Sequence, residues 1–375
     1  MTGTTLVTAE PQRLPTPSGT PSHHELVQAL ARFVAPDTRT GTALMFTDCA
    51  LYGAGLALAA FGNGLWLQWA GGVIAGLKLC GLSVLGHDAA HGMLTRSRRL
   101  NKIFAVLAFT PCLFNDRLWL HAHHTLHHAL TNGAPPDIHK PFSWQQYQRM
   151  PAWRQRWVRA TRSPNPLWQG LYFIVDRLSR VTILSRIYPA AVRRQAIPYT
   201  LLTLSYLAAL CTWLASRHQF APGPTLGDIG LVVVVPLLIF HSLTSFVLFL
   251  QHTHPRIPWF APGDPRAHDC PQQERVAHVQ MPAALASLMH HSLEHPVHHV
   301  MPALPCYRAR EAQARLNELI GARAIVVEPS LTAIADIFRR CKLYDYASHR
   351  WMDFHGEYTS EPHRAAPGVR SRSLP

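Results

Sequence analysis

Residues 65–91 read LWLQWAGGVIAGLKLCGLSVLGHDAAH, an apolar run that leads directly into two histidines. The run at about 65–86 is close to the roughly 20 residues that an α-helix needs to cross a bilayer. His87 and His91 follow it at a spacing of four, so both imidazoles lie on one face if the helix continues. The stretch predicts a membrane helix whose end presents two histidines to one metal ion.

Three more apolar runs accompany this one, at about 43–61, 197–215 and 229–250. The turn residues Gly62, Asn63 and Gly64 separate the first run from the one quoted above. Helices buried inside a soluble protein are the alternative, which four such runs in one chain disfavour. We therefore expect an all-α integral membrane protein with four transmembrane helices in two hairpins.

Composition and charge support a membrane protein with a basic cap. The 375-residue chain has 48% apolar and 15% charged residues, against about 25% charged residues in an ordinary soluble protein. Seven scattered cysteines without a CxxC pair argue against a disulfide scaffold, an iron–sulfur site or a thiolate zinc site. The formal net charge is +14, and 87–196 alone contains 16 lysines and arginines. By the positive-inside rule, this loop and both termini face the cytoplasm.

Two charged residues and one histidine interrupt the apolar runs. Asp48 and Lys78 lie equally far from Asn63, so we expect an intramembrane ion pair, because unpaired charges there are costly. Alternatively, Lys78 reaches the interface beside an interfacial Asp48, or meets a substrate carboxylate. His241 precedes His252 by about 16 Å of helix, which is too far to bind the same metal ion. A functional role and an interhelical hydrogen bond both remain open for His241.

Most histidines are concentrated, with 18 of the 24 in the windows 87–139 and 241–299. Residues 121–128 (HAHHTLHH) and 290–299 (HHSLEHPVHH) each contain an HxxHH unit, and 251–254 (QHTH) closes the fourth apolar run. Positions i, i+3 and i+4 share one helical face. Neutral imidazole binds iron, zinc, copper and nickel. Eight or nine imidazoles exceed what one ion accepts, so the pattern predicts two metal ions.

These motifs resemble those of the membrane fatty acid desaturase superfamily, in its plant and bacterial acyl-lipid branch. The resemblance rests on HDAAH, on HTLHH followed by Thr-Asn-Gly, on LQHTHP, and on HPVHH followed by Pro and Tyr. The 37-residue separation of His87 and His124 fits as well, and the likeness covers about 40–320. It implies a cytosolic helical cap over the four transmembrane helices. It also implies a non-haem di-iron centre with almost entirely histidine ligands, and dioxygen as co-substrate.

Carried over motif by motif, the resemblance implies these metal ligands: His87, His91, His124, His127, His128, His295, His298 and His299, with His252 as the ninth. His254 is the alternative to His252 as the ninth ligand. The register of the second motif stays open, because His121 or His123 could be a ligand in place of a histidine of the HxxHH unit. Ligating imidazoles usually donate their other N–H to a carboxylate or carbonyl. Residues expected beside the ligands, in that role or at the surface, are Asp88, His121, His123, Asp137, His254, His291 and Glu294. We interpret His139 as an ordinary polar residue.

The resemblance favours desaturation of fatty acyl chains. Oxidative decarboxylation to a terminal alkene and hydroxylation would use the same ligands and differ only in how the substrate is placed. A histidine-rich membrane metal transporter is a rival from another class. The substrate acyl group is free, thioester-bound or carried in a lipid.

No haem or dinucleotide motif indicates a built-in electron carrier, so we expect a separate, ferredoxin-like donor and no nucleic acid partner. The expected organisation is a partly disordered N-terminal segment (1–40), a membrane domain with its cap (41–305), a C-terminal part of the cap (306–355) and a disordered tail (356–375). Within the cap we expect a helix at 308–320, a strand near 324–328 and another helix.

Overall fold

The computed structural model describes residues 21–133, 137–182 and 185–363. Within these ranges the α-helices are α1 (His23–Leu30), α2 (Thr38–Phe61), α3 (Leu65–Ala90), α4 (Arg98–Phe109), α5 (Asp116–Leu120), α6 (Trp144–Gln148), α7 (Ala152–Thr161), α8 (Pro166–Arg177), α9 (Ala190–Arg217), α10 (Pro222–Ile229), α11 (Val235–His252), α12 (Arg266–Asp269), α13 (Ala283–Leu288), α14 (His295–Val300), α15 (Cys306–Ile320) and α16 (Leu331–Arg340). The strands are β1 (His278–Val279), β2 (Val326–Val327), β3 (Leu343–Asp345) and β4 (Arg350–Met352). Three π-helical segments cover His121–His127, Leu178–Thr182 and Gly230–Val234.

Within the described residues, four helices are long and apolar enough to cross a membrane, which confirms the predicted spans. They are α2, α3, α9 and a continuous helix over Pro222–His252 that contains α10, a π-helical segment and α11. Each extends beyond its apolar run because polar residues continue the helix. The Asp37 side chain accepts a hydrogen bond from Thr40 N at the start of α2, and α3 runs on into the first histidine motif.

The first hairpin packs through small residues. A Cβ on Gly55 would lie 2.7 Å from the backbone nitrogen of Ala75, and one on Gly71 would overlap that of Ala59. Side chains at these two positions would therefore push α2 and α3 apart. Small residues at such crossings allow close backbone approach in membranes.

The third span lies at the periphery of the bundle. Ile197, Leu201, Leu202 and Leu204 of α9 are exposed. Exposed apolar side chains on a transmembrane helix suit contact with lipid, because burial in protein is not required there. The Tyr52 hydroxyl of α2 lies 2.8 Å from the Tyr206 hydroxyl of α9 and joins the two hairpins.

The remaining helices form a cap around the end of α3 and α11. Leu26 and Leu30 of α1 belong to one apolar cluster with Val300 of α14 and Leu316 of α15. Strand β1 pairs with β2 in parallel, with His278 opposite Val326. The predicted helix and strand in this region are therefore present, as α15 and β2.

The expectation of a disordered tail from residue 356 is wrong for 356–363. Thr359 N donates to Trp351 O, and Met352 pairs with Tyr358 in an isolated antiparallel bridge. These contacts satisfy backbone groups that a disordered tail would leave to water. The rest of the expected tail and residues 1–20 lie outside the described residues.

Candidate metal centre

Five histidines from three chain segments converge where α3 ends. Their candidate ligand nitrogens all lie within 4.8 Å of one another. The His123 Nε2 is 3.0 Å from the Nε2 of His87 and 3.0 Å from that of His128. The His298 Nε2 is 3.0 Å from His128 Nε2. We name this group site A; it consists of His87, His91, His123, His128 and His298.

Four more histidines form a second group, site B. It consists of His127, His252, His295 and His299, again with ligand nitrogens within 4.8 Å of one another. The His295 Nε2 is 2.9 Å from His252 Nε2 and 2.9 Å from His299 Nε2. His127 and His128 are consecutive yet belong to different sites, and the rings of His128 and His299 are 4.8 Å apart. The two sites are therefore immediate neighbours.

The nitrogen spacing suits shared metal ions. Two ligands at right angles, each about 2.1 Å from an ion, lie about 3.0 Å apart. The measured Nε2–Nε2 separations match this value. The His91 Nε2 is buried and has no hydrogen-bond partner among the described residues. An unpaired buried nitrogen is costly, and binding a metal ion would remove that cost.

The protonation state suits metal binding as well. Burial among other imidazoles lowers the pKa of His123, His295, His298 and His299 well below the ordinary histidine value. These rings are therefore neutral near pH 7, and neutral imidazole is the form that binds metals. A set of nitrogen donors without thiolate suits iron, zinc, copper or nickel.

Hydrogen bonds at the opposite ring nitrogen orient four of the nine imidazoles. The His87 Nδ1 lies 2.9 Å from Asp88 Oδ1, and the His127 Nδ1 lies 2.8 Å from Asp137 Oδ1. Both carboxylates are buried. Such partners select the tautomer whose Nε2 lone pair faces the metal. The structure thus places Asp88 and Asp137 where the sequence predicted partners of ligands.

Sequence reasoning missed two further partners. The Asn132 Oδ1 lies 3.1 Å from His252 Nδ1, and the Thr131 hydroxyl lies 3.2 Å from His299 Nδ1. Both residues are fully buried. They belong to the Thr-Asn-Gly that follows HTLHH. The sequence motif therefore included both residues but did not indicate which histidines they contact. Their partners lie more than a hundred residues away, which no local pattern reports.

The predicted register of the second motif differs from the structure. HxxHH on an α-helix presents His124 with His127 and His128, but His121–His127 form a π-helix. His128 N donates to His123 O, five residues back. The wider turn brings positions i, i+4 and i+5 to one face, so His123 joins site A. His124 is exposed and lies outside both sites, although its ring is 5.1 Å from that of His91.

Trp119 supports the position of His123. The two rings are stacked, with centroids 4.4 Å apart and an interplanar angle of 22°. Trp119 is 7% exposed and also lies 5.3 Å from the His87 ring. A large, fixed aromatic side chain on this face restricts the rotamers of both imidazoles.

Three other histidines near the motifs lie outside both sites. The His254 Nδ1 accepts a hydrogen bond from Arg256 N, so His252 and not His254 belongs to site B. The His121 ring packs 5.8 Å from that of Tyr188. The His291 Nδ1 lies 3.5 Å from Glu294 Oε1, and both side chains line the cavity described below.

The intramembrane acid has two partners. Lys78 Nζ lies 2.8 Å from Asp48 Oδ1, as an ion pair between α2 and α3. His290, five residues before His295, places its Nε2 2.8 Å from Asp48 Oδ2. A Cβ on Gly81 would overlap Asp48 Oδ2, so the glycine leaves room for this carboxylate between α2 and the cap.

The interpretation of His139 as an ordinary polar residue is wrong. It is 3% exposed, and its Nε2 lies 3.1 Å from Ser245 O of α11. Its own carbonyl oxygen accepts a hydrogen bond from the buried Arg162 guanidinium. His139 therefore ties the loop after Asp137 to the fourth span.

His241 is also buried, between Phe173 and Phe240, and its Nδ1 has no partner within the described part of the chain.

A cavity of about 180 Å³ adjoins both sites. Site A and site B histidines form one part of its wall. Most of the remaining wall is apolar and comes from α3, the α4–α5 connection, α8, α11 and the residue that follows α13. These apolar side chains include Val84, Phe114, Phe173, Val247, Leu248 and Met289. The cavity can therefore place an apolar chain against the two sites.

Comparisons with known proteins show which family and which relatives the chain resembles in sequence. The family model described as fatty acid desaturase matches residues 64–329. The chain is similar to the sn-1 oleoyl-lipid 12-desaturase of Picosynechococcus sp., with 26% identity over 75% of this chain and 78% of the relative. The sn-1 acyl-lipid omega-3 desaturase (ferredoxin) of Synechocystis sp. is 27% identical over 74% of each chain. The chloroplastic omega-6 fatty acid desaturase of Spinacia oleracea is 26% identical over 74% of this chain and 59% of the relative.

Proposed function

The chain belongs to the fatty acid desaturase family, and from that premise we propose that it is a membrane di-iron enzyme that introduces a double bond into the acyl chain of a lipid. Two hydrogens leave adjacent methylene carbons, and two electrons and two protons enter from the donor and solvent. One dioxygen is reduced to two waters in the same turnover. The chain is thus an oxygen-dependent oxidoreductase.

The observation that carries this proposal is the contact between two neighbouring imidazole sites and one apolar cavity. Site A and site B supply nine ring nitrogens in two groups, and histidines of both groups line the cavity. A metal transporter requires a polar path across the bilayer, whereas this cavity is walled mostly by apolar side chains beside the sites. The three relatives named above are all desaturases, and none is a decarboxylase, a hydroxylase or a transporter.

The protein's own residues hold, orient and shield the reacting groups. The nine histidines of sites A and B would hold two iron ions, which together with dioxygen supply an oxidant strong enough for an unactivated C–H bond. Asp88, Asp137, Asn132 and Thr131 fix the ring tautomers. The apolar wall holds a methylene pair beside the sites, since positioning is a large part of catalysis.

We further propose an external ferredoxin-like electron donor on the cytoplasmic side. The name of the Synechocystis relative includes ferredoxin. The charge distribution supports the cytoplasmic side, because 87–196 contains 16 lysines and arginines and basic residues close to the ends of spans favour that side. A basic surface also attracts an acidic donor protein over a distance set by ionic strength.

Product analysis tests the function. The protein is expressed in a bacterial host, and the fatty acids of extracted lipids are analysed by gas chromatography and mass spectrometry. We expect a new internal double bond, absent with the matched His295→Ala variant. A terminal alkene or an alcohol without new internal double bonds would overturn desaturation. Two irons per purified chain are expected, and a single zinc would overturn the di-iron assignment.

A further inference from the structure

The cavity has a polar region away from the histidines. Arg177, Arg180 and Tyr188 line the same cavity as His87 and His298. We name these three residues the arginine–tyrosine cluster. Arg177 lies over the Phe173 ring, at 5.3 Å, and that ring is 5.4 Å from His241. His241 precedes His252 by about 16 Å along the helix, so Arg177 lies over a ring that packs against α11 well before the site B histidine.

Two arginines of the cluster adjoin one acid, and the formal charges of Arg177, Arg180 and Asp176 sum to +1. Asp176 is buried and shares its carboxylate between both guanidiniums, with Arg177 Nε 2.9 Å from Oδ2 and Arg180 Nε 3.1 Å from Oδ1. Arginine N–H groups in a fixed fork are well suited to carboxylate or phosphate oxygens. The cluster therefore favours an anionic ligand beside the cavity.

Tyr188 is a second, independent indication of a ligand. Its side chain is 3% exposed, and its hydroxyl has no hydrogen-bond partner among residues 21–133, 137–182 and 185–363. Burial raises the pKa of Tyr188 to about 12, so the hydroxyl remains a donor at physiological pH. Leaving a buried hydroxyl unpaired costs free energy. An oxygen acceptor entering the cavity would remove this cost.

The surface beside the cluster is apolar. Leu167, Leu171 and Val175 of α8 are exposed at a spacing of four, so they form one stripe on the helix. Ile187, next to Tyr188, is 57% exposed. Exposed apolar side chains next to arginine and tyrosine are typical of the membrane–water interface. An acyl chain can therefore pass between the bilayer and the cavity along this apolar surface.

We propose that the arginine–tyrosine cluster binds the anionic oxygens at the polar end of an acyl lipid whose chain lies along the cavity toward sites A and B. The inference rests on the proposed action on acyl chains and names the substrate class. The phosphate of a membrane phospholipid and the carboxylate of a free fatty acid both present the anionic oxygens that the cluster would bind.

Lipid retention on the iron-loaded, detergent-purified protein tests the proposal. Oleoyl phosphatidylglycerol, oleoyl diacylglycerol and oleic acid are each equilibrated with the protein, and the retained lipid is measured by mass spectrometry. We expect the wild type to retain an anionic lipid about tenfold better than diacylglycerol, as for a charge-assisted contact. Preferred retention of phosphatidylglycerol identifies phosphate as the anion, and preferred retention of oleic acid identifies the carboxylate.

Two variants and two controls make the result specific. Arg180→Gln leaves Asp176 paired with Arg177 and should abolish the preference for an anionic lipid over diacylglycerol. Arg180→Lys keeps the positive charge and should retain this preference. Tyr188→Phe removes only the hydroxyl and should weaken retention about fivefold. Arg186→Gln, an exposed neighbour outside the cavity, should behave as the wild type.

Equal retention of all three lipids by the wild type, or an unchanged preference in Arg180→Gln and Tyr188→Phe, would overturn the proposal. Retention needs no turnover, so its loss is distinguishable from a failure of desaturation, which is measured by double bonds in host lipids.

Discussion

The Asp48 carboxylate in the first span and the His290 imidazole in the cap are 2.8 Å apart, although 242 residues separate them in sequence. Asp48 is 2% exposed and also pairs with Lys78. His290 and His291 both have positive φ, of 43° and 59°, in the turn that leads to His295. Such a backbone persists only when its surroundings hold it. Asp48 therefore helps to hold the third histidine motif over the membrane helices.

Replacing Asp48 tests this link. Asp48→Asn should lower the unfolding temperature, because it leaves the largely buried Lys78 ammonium without its counter-ion, a change that typically costs about 3 kcal/mol or more. His290→Ala should lower the iron content with a smaller loss of stability, and His290→Gln, which keeps a donor, should restore part of it. Calorimetry and iron analysis measure both effects. Wild-type iron content in His290→Ala would show that the contact does not position the motif.

The second histidine motif gives a prediction that separates two registers. His123→Ala should remove a site A ligand, abolish desaturation and lower the iron content, because its Nε2 is 3.0 Å from those of two other site A histidines. His124→Ala should retain iron and most activity, since His124 lies outside both sites. His87→Ala and His298→Ala serve as references, because each should show the loss of activity and iron that follows removal of one site A ligand. An inactive, iron-poor His124→Ala beside an active His123→Ala would reverse this assignment.

The partner of His127 should tune iron binding without abolishing it. Asp137→Asn replaces the carboxylate 2.8 Å from His127 Nδ1 by an amide. Substitutions at such positions typically weaken metal binding about 10- to 100-fold. Titration of the apoprotein with ferrous iron measures the change. Glu311→Gln, an acid on the exposed surface of α15, is the control and should bind iron as the wild type does. Equal affinities in the two variants would contradict the role given to Asp137.

His139 should matter for stability, contrary to what its sequence context indicates. His139→Ala removes a buried imidazole that lies 3.1 Å from Ser245 O, and the loss of such a buried hydrogen bond costs about 1 kcal/mol. The φ of 58° at this position favours His139→Asn over His139→Ala, because asparagine tolerates the left-handed region. The unfolding temperature should be highest for the wild type, lower for His139→Asn and lowest for His139→Ala. The exposed His268→Ala should leave the unfolding temperature unchanged.

The same residue predicts a pH dependence. Burial and the nearby Arg162 guanidinium lower the pKa of His139 well below its ordinary value. The unfolded chain therefore binds a proton near pH 6.5 that the folded protein does not, and stability falls as the pH drops below that value. The difference in unfolding temperature between wild type and His139→Asn should shrink from pH 7.5 to pH 5.5. A constant difference over this range would exclude the contribution of His139.

The four spans were predictable because hydropathy and length are local properties of the sequence, and the thickness of the bilayer fixes the length that an apolar helix needs. The first and third histidine motifs were predictable in the same way, since helical spacing alone brings His87 near His91 and His295 near His299. The second motif was not, because residues 121–127 depart from α-helical geometry and the register follows the π-turn. His139 was misjudged since nothing in its neighbours indicates that Ser245 and Arg162 surround it.

By itself, the sequence determined that this chain crosses a membrane four times and gathers imidazoles where two spans end. Both follow from periodicity within single helices. Only the tertiary structure decided that consecutive His127 and His128 belong to different histidine groups, that Thr131 and Asn132 contact distant histidines, and that Asp48 reaches His290. These relationships join atoms from segments far apart in the chain, and their distances depend on how helices pack rather than on any local spacing.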